Sequence, residues 1–172
     1  EFLPWPKYNP DMARSLLRKQ GYCEKDILSI PLTFRSNVPA DKLLALTWKD
    51  QIKRDLSDCI QITLNGVEST TVYKQLSEGA FEAVILDWTG AYPDPEAYLT
   101  PLLSCNEIIN NTCLKGEAVL SGSFWGDSKV QELLENNEEL EGESRRNNLI
   151  KIEKIAAQES AYLPIWLVNP KA

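Results

Sequence analysis

Histidine is absent from all 172 residues, and methionine occurs once. The first absence removes the commonest general base and the commonest transition-metal ligand. An enzyme built on this chain would have to work with carboxylates, Lys, Tyr, Ser or Cys. An excess of basic residues is also missing: 18 Lys and Arg stand against 25 Asp and Glu, a net charge of −7. A nucleic acid or an anionic membrane would need a basic face, so no nucleic-acid partner is expected. No apolar run is long enough to span a bilayer. The chain opens EFLPWPKYNP, without the basic start and apolar block of a signal peptide. A chain that begins after such a segment reads the same way.

A CxxC pair is lacking too. The four cysteines are Cys23, Cys59, Cys105 and Cys113. Without CxxC or His, a zinc site has little support, and neither metal nor cofactor is expected. The even count allows two disulfides in any of three connectivities, or else buried free thiols. Cys105 and Cys113 bracket CNEIINNTC, a short polar loop that a disulfide would close, which hints at an oxidising compartment. What is present is ordinary for a globular domain with a real core: 43% hydrophobic and 25% charged residues. No internal repeat or low-complexity linker interrupts it.

YNPDMARSLLRKQGY reads as a helix with marked ends. Asn9 caps, Pro10 suits the first helical position, Asp11 complements the dipole and Gly21 stops the helix. Leu16 and Leu17 are expected to face inward. Residues 27–34 (ILSIPLTF) alternate as a strand. In DKLLALTWKDQIKRDL, Leu44, Trp48, Ile52 and Leu56 recur every four residues as one apolar helical stripe. CIQITLNG predicts a second strand, TTVYKQLSEGA a short helix ending at Gly79, and FEAVILDW a third strand. That strand is almost continuously apolar and is expected to be buried on both faces. The order strand, helix, strand, helix, strand gives two βαβ units and so a parallel sheet. The second half predicts helices in PEAYLTPLL, SKVQELLENN and EGESRRNNLIKIEKIAAQES, the last with Leu149, Ile152 and Ala156 inward. AYLPIWLVNP is expected to leave as an apolar strand.

The stretch DWTGAYPDP, Asp87 to Pro95, follows the third strand. In open parallel α/β sheets, ligands sit beyond the carboxyl ends of strands. Gly90 permits close backbone approach to a ligand. Trp88 and Tyr92 offer flat faces with a polar tip, and Pro93 and Pro95 stiffen the loop. The expected ligand-binding residues are Trp88, Thr89, Gly90, Ala91, Tyr92, Arg35 and Trp125. Each has a plainer reading. Trp88 and Tyr92 would pack the loop onto the sheet. Arg35 either holds a ligand carboxylate bidentately or is an exposed loop arginine. Trp125 lines a cleft or staples a helix entry. Asp94 and Glu96 open a helix and are explained by its dipole. Asn110-Asn111-Thr112 matches a glycosylation sequon, read as coincidence.

Several segments carry a resemblance, in order along nearly the whole chain. YNPDMARSLLRKQGY, FEAVILDWTGAYPDPEAYL, SFWGDSKVQELL and YLPIWLVNP resemble segments of the family-5 solute-binding proteins of ABC transporters, the oligopeptide and dipeptide binders. The resemblance implies a carboxy-terminal α/β lobe of the type II periplasmic-binding-protein kind, a mostly parallel sheet flanked by helices. Residues 1–172 would be that single lobe, an excised part of a larger two-lobed protein. Such a protein captures a peptide or other small solute between its lobes and delivers it to an ABC permease. Its place is periplasmic or extracytoplasmic, with any membrane anchor on a segment absent here. The partners implied are the solute, the amino-terminal lobe and the permease. The neighbouring strand starts of this fold also imply the pairing Cys23–Cys59 beside Cys105–Cys113.

Two departures bear on specificity. In peptide-binding members, the turn after the Trp carries an Asp that holds the ligand's α-ammonium, and the matching position here is Ala91. Losing one partner of a buried charge pair costs about 2–5 kcal/mol. A different or uncharged solute is therefore expected as readily as a peptide. Before the Trp, where relatives often have Gly, stands Asp87, a carboxylate that can replace the missing charge. Some relatives bind nickel or its chelates, and the absence of His weakens direct ligation. The competing classes are a sensory or chaperone-like receptor on the same fold, and a carboxylate-based hydrolase using Asp87 and Asp94. The latter needs one carboxylate buried with a raised pKa. Not an enzyme but a binding module closed by a hinge motion is the reading carried forward. An isolated lobe is expected to bind weakly and to expose an apolar, aromatic surface.

Overall fold

Asn9 and Pro10 open the first helix as their residue types dictate. In the computed structural model, which describes residues 5–166, α1 spans Pro10–Lys19 and the Asn9 side chain accepts the Met12 N–H at 2.9 Å. Gly21 ends it in the left-handed region at φ 91°. There the Tyr22 N–H reaches back to Leu17 O at 3.0 Å. Replacing the cap, Asn9→Ala, is expected to lower stability by about 1 kcal/mol in urea unfolding. A loss near zero would mean that water satisfies the freed N–H as well as Asn9 does.

The described chain divides into two compact units. The first is Lys7–Thr89. It holds α1, β1 (Leu28–Arg35), α2 (Pro39–Leu56), β2 (Ile60–Val67), α3 (Ser69–Gln75), a 3₁₀ turn at Leu76–Glu78 and β3 (Ala83–Val84). The strand order is β2-β1-β3 and every pairing is parallel. Leu28 faces Ile60 and Arg35 faces Val67 at the ends of the long ladder. The predicted stripe of α2 covers this sheet: Leu44, Trp48 and Ile52, with Ala45 of the same helix, pack on Leu32, Phe34, Ile62 and Ile85. Cys23 and Cys59 are bonded. The Leu28 N–H donates to Cys59 O at 2.9 Å, so the starts of β1 and β2 lie side by side, as the pairing requires.

Two expectations for this unit fail. Leu16 does not face inward: it is 50% exposed, and no residue of α1 is fully buried. Helical periodicity marks an apolar face but cannot say what covers it. The third strand pairs over two residues only, extended by the Ile85 N–H to Thr33 O bond at 2.9 Å. Its side chains are half-buried apart from Ile85, so the two-faced burial expected of FEAVILDW is not reached.

The second unit is the described part of Glu1–Pro6 with Gly90–Ala172. It contains α4 (Glu96–Leu103), β4 (Glu107–Ile109), β5 (Thr112–Lys115), α5 (Glu117–Leu120), α6 (Ser128–Asn137) and α7 (Gly142–Gln158). Leu149, Ile152 and Ala156 face inward from α7, as predicted, onto Leu103, Val130, Leu133 and Leu134. CNEIINNTC is not a plain loop. It folds as the β4–β5 antiparallel hairpin, closed by the Cys105–Cys113 disulfide. Asn110 and Asn111 take φ 50° and 61°, the left-handed pair that a two-residue I′ turn needs. The expected closing strand is not formed over Ala161–Trp166, and its remainder, residues 167–170, lies outside the described residues. Among the described residues no buried side-chain nitrogen or oxygen lacks a hydrogen-bond partner, and no helix is long and apolar enough to cross a membrane.

Candidate functional site

In the first unit all strands are parallel, so their carboxyl ends share one edge of the sheet. Arg35 ends β1 there, Asp41 lies in the first turn of α2, Tyr73 on α3, and Asp87 beyond β3. These four side chains meet. Arg35 Nε donates to Asp41 Oδ2 at 2.7 Å and Nη2 to Oδ1 at 3.0 Å, a fork on a fork. Nη1 donates to the Tyr73 hydroxyl at 2.8 Å and also to Asp87 Oδ1. The Tyr73 O–H donates to the same Asp87 oxygen at 2.5 Å. Arg35 is therefore not the exposed loop arginine of the plainer reading; its side chain is 6% exposed.

The electrostatics follow the contacts. The hydrogen bond to Asp41 raises the Arg35 pKa against the opposing effect of burial. The Tyr73 hydrogen bond, helped by the Arg35 charge, holds Asp87 below the usual carboxylate range. Burial, then the Asp87 bond, raises Tyr73. Neither Asp41 nor Tyr73 was singled out from the sequence. A usable signal existed, since Asp41 opens the helix six residues after an arginine that ends a strand. Trp88 and Thr89 follow Asp87 and are exposed, Trp88 by 43%.

The rest of the loop belongs to the second unit. Ala91 and Tyr92 are exposed. Gly90 makes room for this chain's own packing: a Cβ there would stand 2.7 Å from Tyr98 Cε2 and 3.2 Å from Ala97 Cβ. Asp94 does more than complement a dipole. Its Oδ1 accepts the Glu96 N–H at 2.8 Å, and both oxygens accept from the Arg145 guanidinium at 2.8 and 2.9 Å. Glu96 accepts from Arg145 at 2.7 Å and from Asn137 at 3.2 Å. The Arg145 bond, then the Glu96 N–H, holds the Asp94 pKa down. Trp125 is half-buried against the core around Leu103 and Val130, and its N–H meets Ser123 Oγ at 3.3 Å.

Two open cavities, of about 280 and 600 Å³, are lined by none of the expected ligand residues. The smaller lies by Cys105 and α6, the larger by Pro95 and the start of α7. No metal-competent group of three or more His, Cys, Asp or Glu occurs among the described residues. Chemically, the sheet edge offers a fixed carboxylate beside exposed aromatic faces. That suits recognition of a solute rather than proton transfer, which would call for a raised carboxyl pKa.

Known proteins share this arrangement of elements. A di/tripeptide-binding protein of Pseudomonas aeruginosa is 26% identical over 167 residues, covering 94% of this chain and 28% of the relative. A heme-binding protein of Haemophilus influenzae is 31% identical over 109 residues, 60% of this chain and 19% of that protein. The solved murein tripeptide-binding protein of Escherichia coli superposes with a TM-score of 0.74 at 17% identity, over 92% of this chain and 30% of that one. The chain thus spans less than a third of the length of each. Its fold is the mostly parallel, helix-flanked α/β fold of periplasmic binding proteins. Residues 2–110, which include α1, the parallel sheet, the aromatic loop and α4, match the model of the bacterial extracellular solute-binding proteins, family 5 middle region, and the chain belongs to that family.

Proposed function

We propose that this chain is the solute-binding lobe of an ABC-transporter substrate-binding protein, capturing a peptide or related small solute for import. The observation that carries the reading is the exposed Trp88 at the carboxyl edge of a parallel sheet, on a segment the family model covers. The names of the relatives widen the solute class to dipeptides, tripeptides and heme. The single-lobe organisation of 1–172, the amino-terminal lobe and the ABC permease as partners, the periplasmic or extracytoplasmic place and a membrane anchor outside this chain all belong to this proposal. So do Trp88, Thr89, Gly90, Ala91 and Tyr92 as ligand contacts. Arg35 enters as the residue that fixes Asp87, and Trp125 as a packing residue that can still border a cleft.

The hydrolase alternative loses its support in the electrostatics. Asp87 and Asp94 are each held below the ordinary carboxylate range by hydrogen-bond donors, the opposite of what a general acid needs. No observation favours a sensory or chaperone-like receptor over transport.

The test is a calorimetric and thermal-shift screen of the full-length, two-lobed protein against short peptides, free amino acids, sugars and nickel chelates. A saturable solute is expected, and Trp88→Ala should weaken its binding about tenfold or more, the scale of a stacked aromatic contact. Retention of full affinity by Trp88→Ala would remove the aromatic loop from the site. Silence across the whole screen would remove the binding reading itself.

A further inference from the structure

The two disulfides differ in what surrounds them. Cys105 and Cys113 are 1% and 0% exposed and pack with Ala118. Cys59 is likewise 0% exposed. Cys23 is the exception: it is half-buried, and the four residues after it, Glu24 to Ile27, are all exposed. In thiol–disulfide exchange a thiolate must reach one sulfur of the bond. Of the four cysteines, only Cys23 is placed for that approach from solvent.

The leaving sulfur is prepared as well. Arg14 Nη1 donates to Cys59 Sγ at 3.7 Å. A guanidinium beside a sulfur favours the thiolate, and a better leaving group speeds exchange. The same Nη1 bonds Asp58, and Nη2 donates to Asp55 O at 2.6 Å. These bonds fix the guanidinium against Cys59. The Asp58 side chain is 46% exposed, so water screens its opposing charge. The other bridge has the reverse surroundings. Cys105 Sγ lies 3.1 Å from Glu107 O, and Lys115 O is 3.5 and 3.6 Å from the two sulfurs. Carbonyl oxygens there oppose a thiolate.

The backbone adds a bias toward opening. Cys23 sits at φ 81°, a left-handed conformation that costs a residue with a Cβ free energy. The bridge also fastens a helix with little packing of its own. No residue of α1 is fully buried. Besides the bridge, α1 is tied to the end of α2 by the Arg14 bonds and by the Tyr8 O–H to Asp55 Oδ2 at 2.5 Å. Elements held by few buried contacts open first.

We propose that Cys23–Cys59 is an exchange site for a dithiol, attacked at Cys23 Sγ with Cys59 Sγ leaving as a thiolate beside Arg14, and that its opening releases α1. In the first step the dithiol's thiolate bonds to Cys23 Sγ, and the electron pair of the broken S–S bond goes to Cys59 Sγ. In the second, the other thiol of the reagent attacks its own mixed disulfide and frees Cys23. The dithiol is oxidised to a disulfide, the cysteine pair gains two electrons, and the two protons pass through water to the released thiolates.

The experiment exposes the full-length native protein to dithiothreitol and, in parallel, to reduced thioredoxin. Timed samples are alkylated and mapped by peptide mass spectrometry. Cys23–Cys59 is expected to open about tenfold faster than Cys105–Cys113, or more. Faster opening by thioredoxin at equal dithiol concentration assigns the site to a protein dithiol, and faster opening by dithiothreitol to a small one. With glutathione, the mixed disulfide should be trapped on Cys23. Arg14→Gln should slow the opening several-fold, and Arg14→Lys should restore part of the rate. A purely structural Arg14 would give the opposite sign, since loosening α1 would expose the bond. Hydrogen exchange after selective opening should speed at α1 amides while β1 and β2 stay protected. Equal opening of the two bridges, trapping on Cys59, or faster opening in Arg14→Gln overturns the exchange site. Unchanged protection of α1, or loss of protection throughout the first unit, overturns the release of α1.

Discussion

Asp41→Ala is expected to destabilise the first unit by about 3–5 kcal/mol, the scale for stranding one member of a buried ion pair. Asp41 and Arg35 are both nearly free of solvent. Removing the carboxylate leaves a guanidinium that cannot lose its charge and has only Asp87 and Tyr73 to turn to. Those two already engage Nη1, so Nε and Nη2 are the buried donors left without a partner. Urea unfolding followed by far-ultraviolet circular dichroism measures the loss. The companion variant, Arg35→Met with Asp41→Leu, removes both charges and keeps the volume. It should recover most of the stability, since apolar replacement of a whole buried pair is often neutral or favourable. A loss below 1 kcal/mol for Asp41→Ala would show that Arg35 reaches solvent once released.

Removing the Cys23–Cys59 bridge by paired alanine substitution should cost roughly 4 kcal/mol, and removing Cys105–Cys113 roughly 2.5 kcal/mol. The difference comes from the unfolded chain. The first bridge closes a separation of 36 residues and the second one of 8, and a longer loop loses more entropy when closed. Alanine suits Cys59, which is 0% exposed, because serine would add a buried hydroxyl. Melting with and without reductant, beside the two substituted chains, separates the bridges. A larger loss from the hairpin bridge would mean that β4 and β5 depend on it for their fold, and that chain entropy is not the main term.

Much of the parallel half is legible in the sequence because local chemistry and long-range packing agree there. Asn9, Pro10 and Gly21 bound α1 by satisfying or omitting backbone donors, which needs no partner element. The four-residue recurrence of Leu44, Trp48, Ile52 and Leu56 gives α2 its buried face. The hairpin was missed because CNEIINNTC has few apolar residues and no alternation. Its signal lay in Asn110-Asn111, two residues that tolerate the left-handed conformation a I′ turn demands. The short pairing of β3 was hidden for the opposite reason: a continuous apolar run carries no register, and only Ala83 and Val84 pair with β1, opposite Leu32 and Thr33.

The candidate site divides along the same line. Its place, a Trp-containing loop after a strand of a parallel sheet, follows from the order of elements and from residue types, and so does membership of the family. The state of Arg35 does not. Sequence spacing puts it at a strand end, where an arginine is usually solvated. Its burial depends on Asp41, Tyr73 and Asp87 arriving from a helix start, a second helix and another strand. Gly90 likewise reads as an opening for a ligand until the Tyr98 ring is found against it. By itself the sequence determined the helices with their ends, the parallel order of the strands and the position of the loop, because short-range hydrogen bonding and hydrophobic period decide those. The tertiary structure alone decided which charges are neutralised and which is left facing out, because ion pairing depends on groups remote in sequence meeting within a few ångströms.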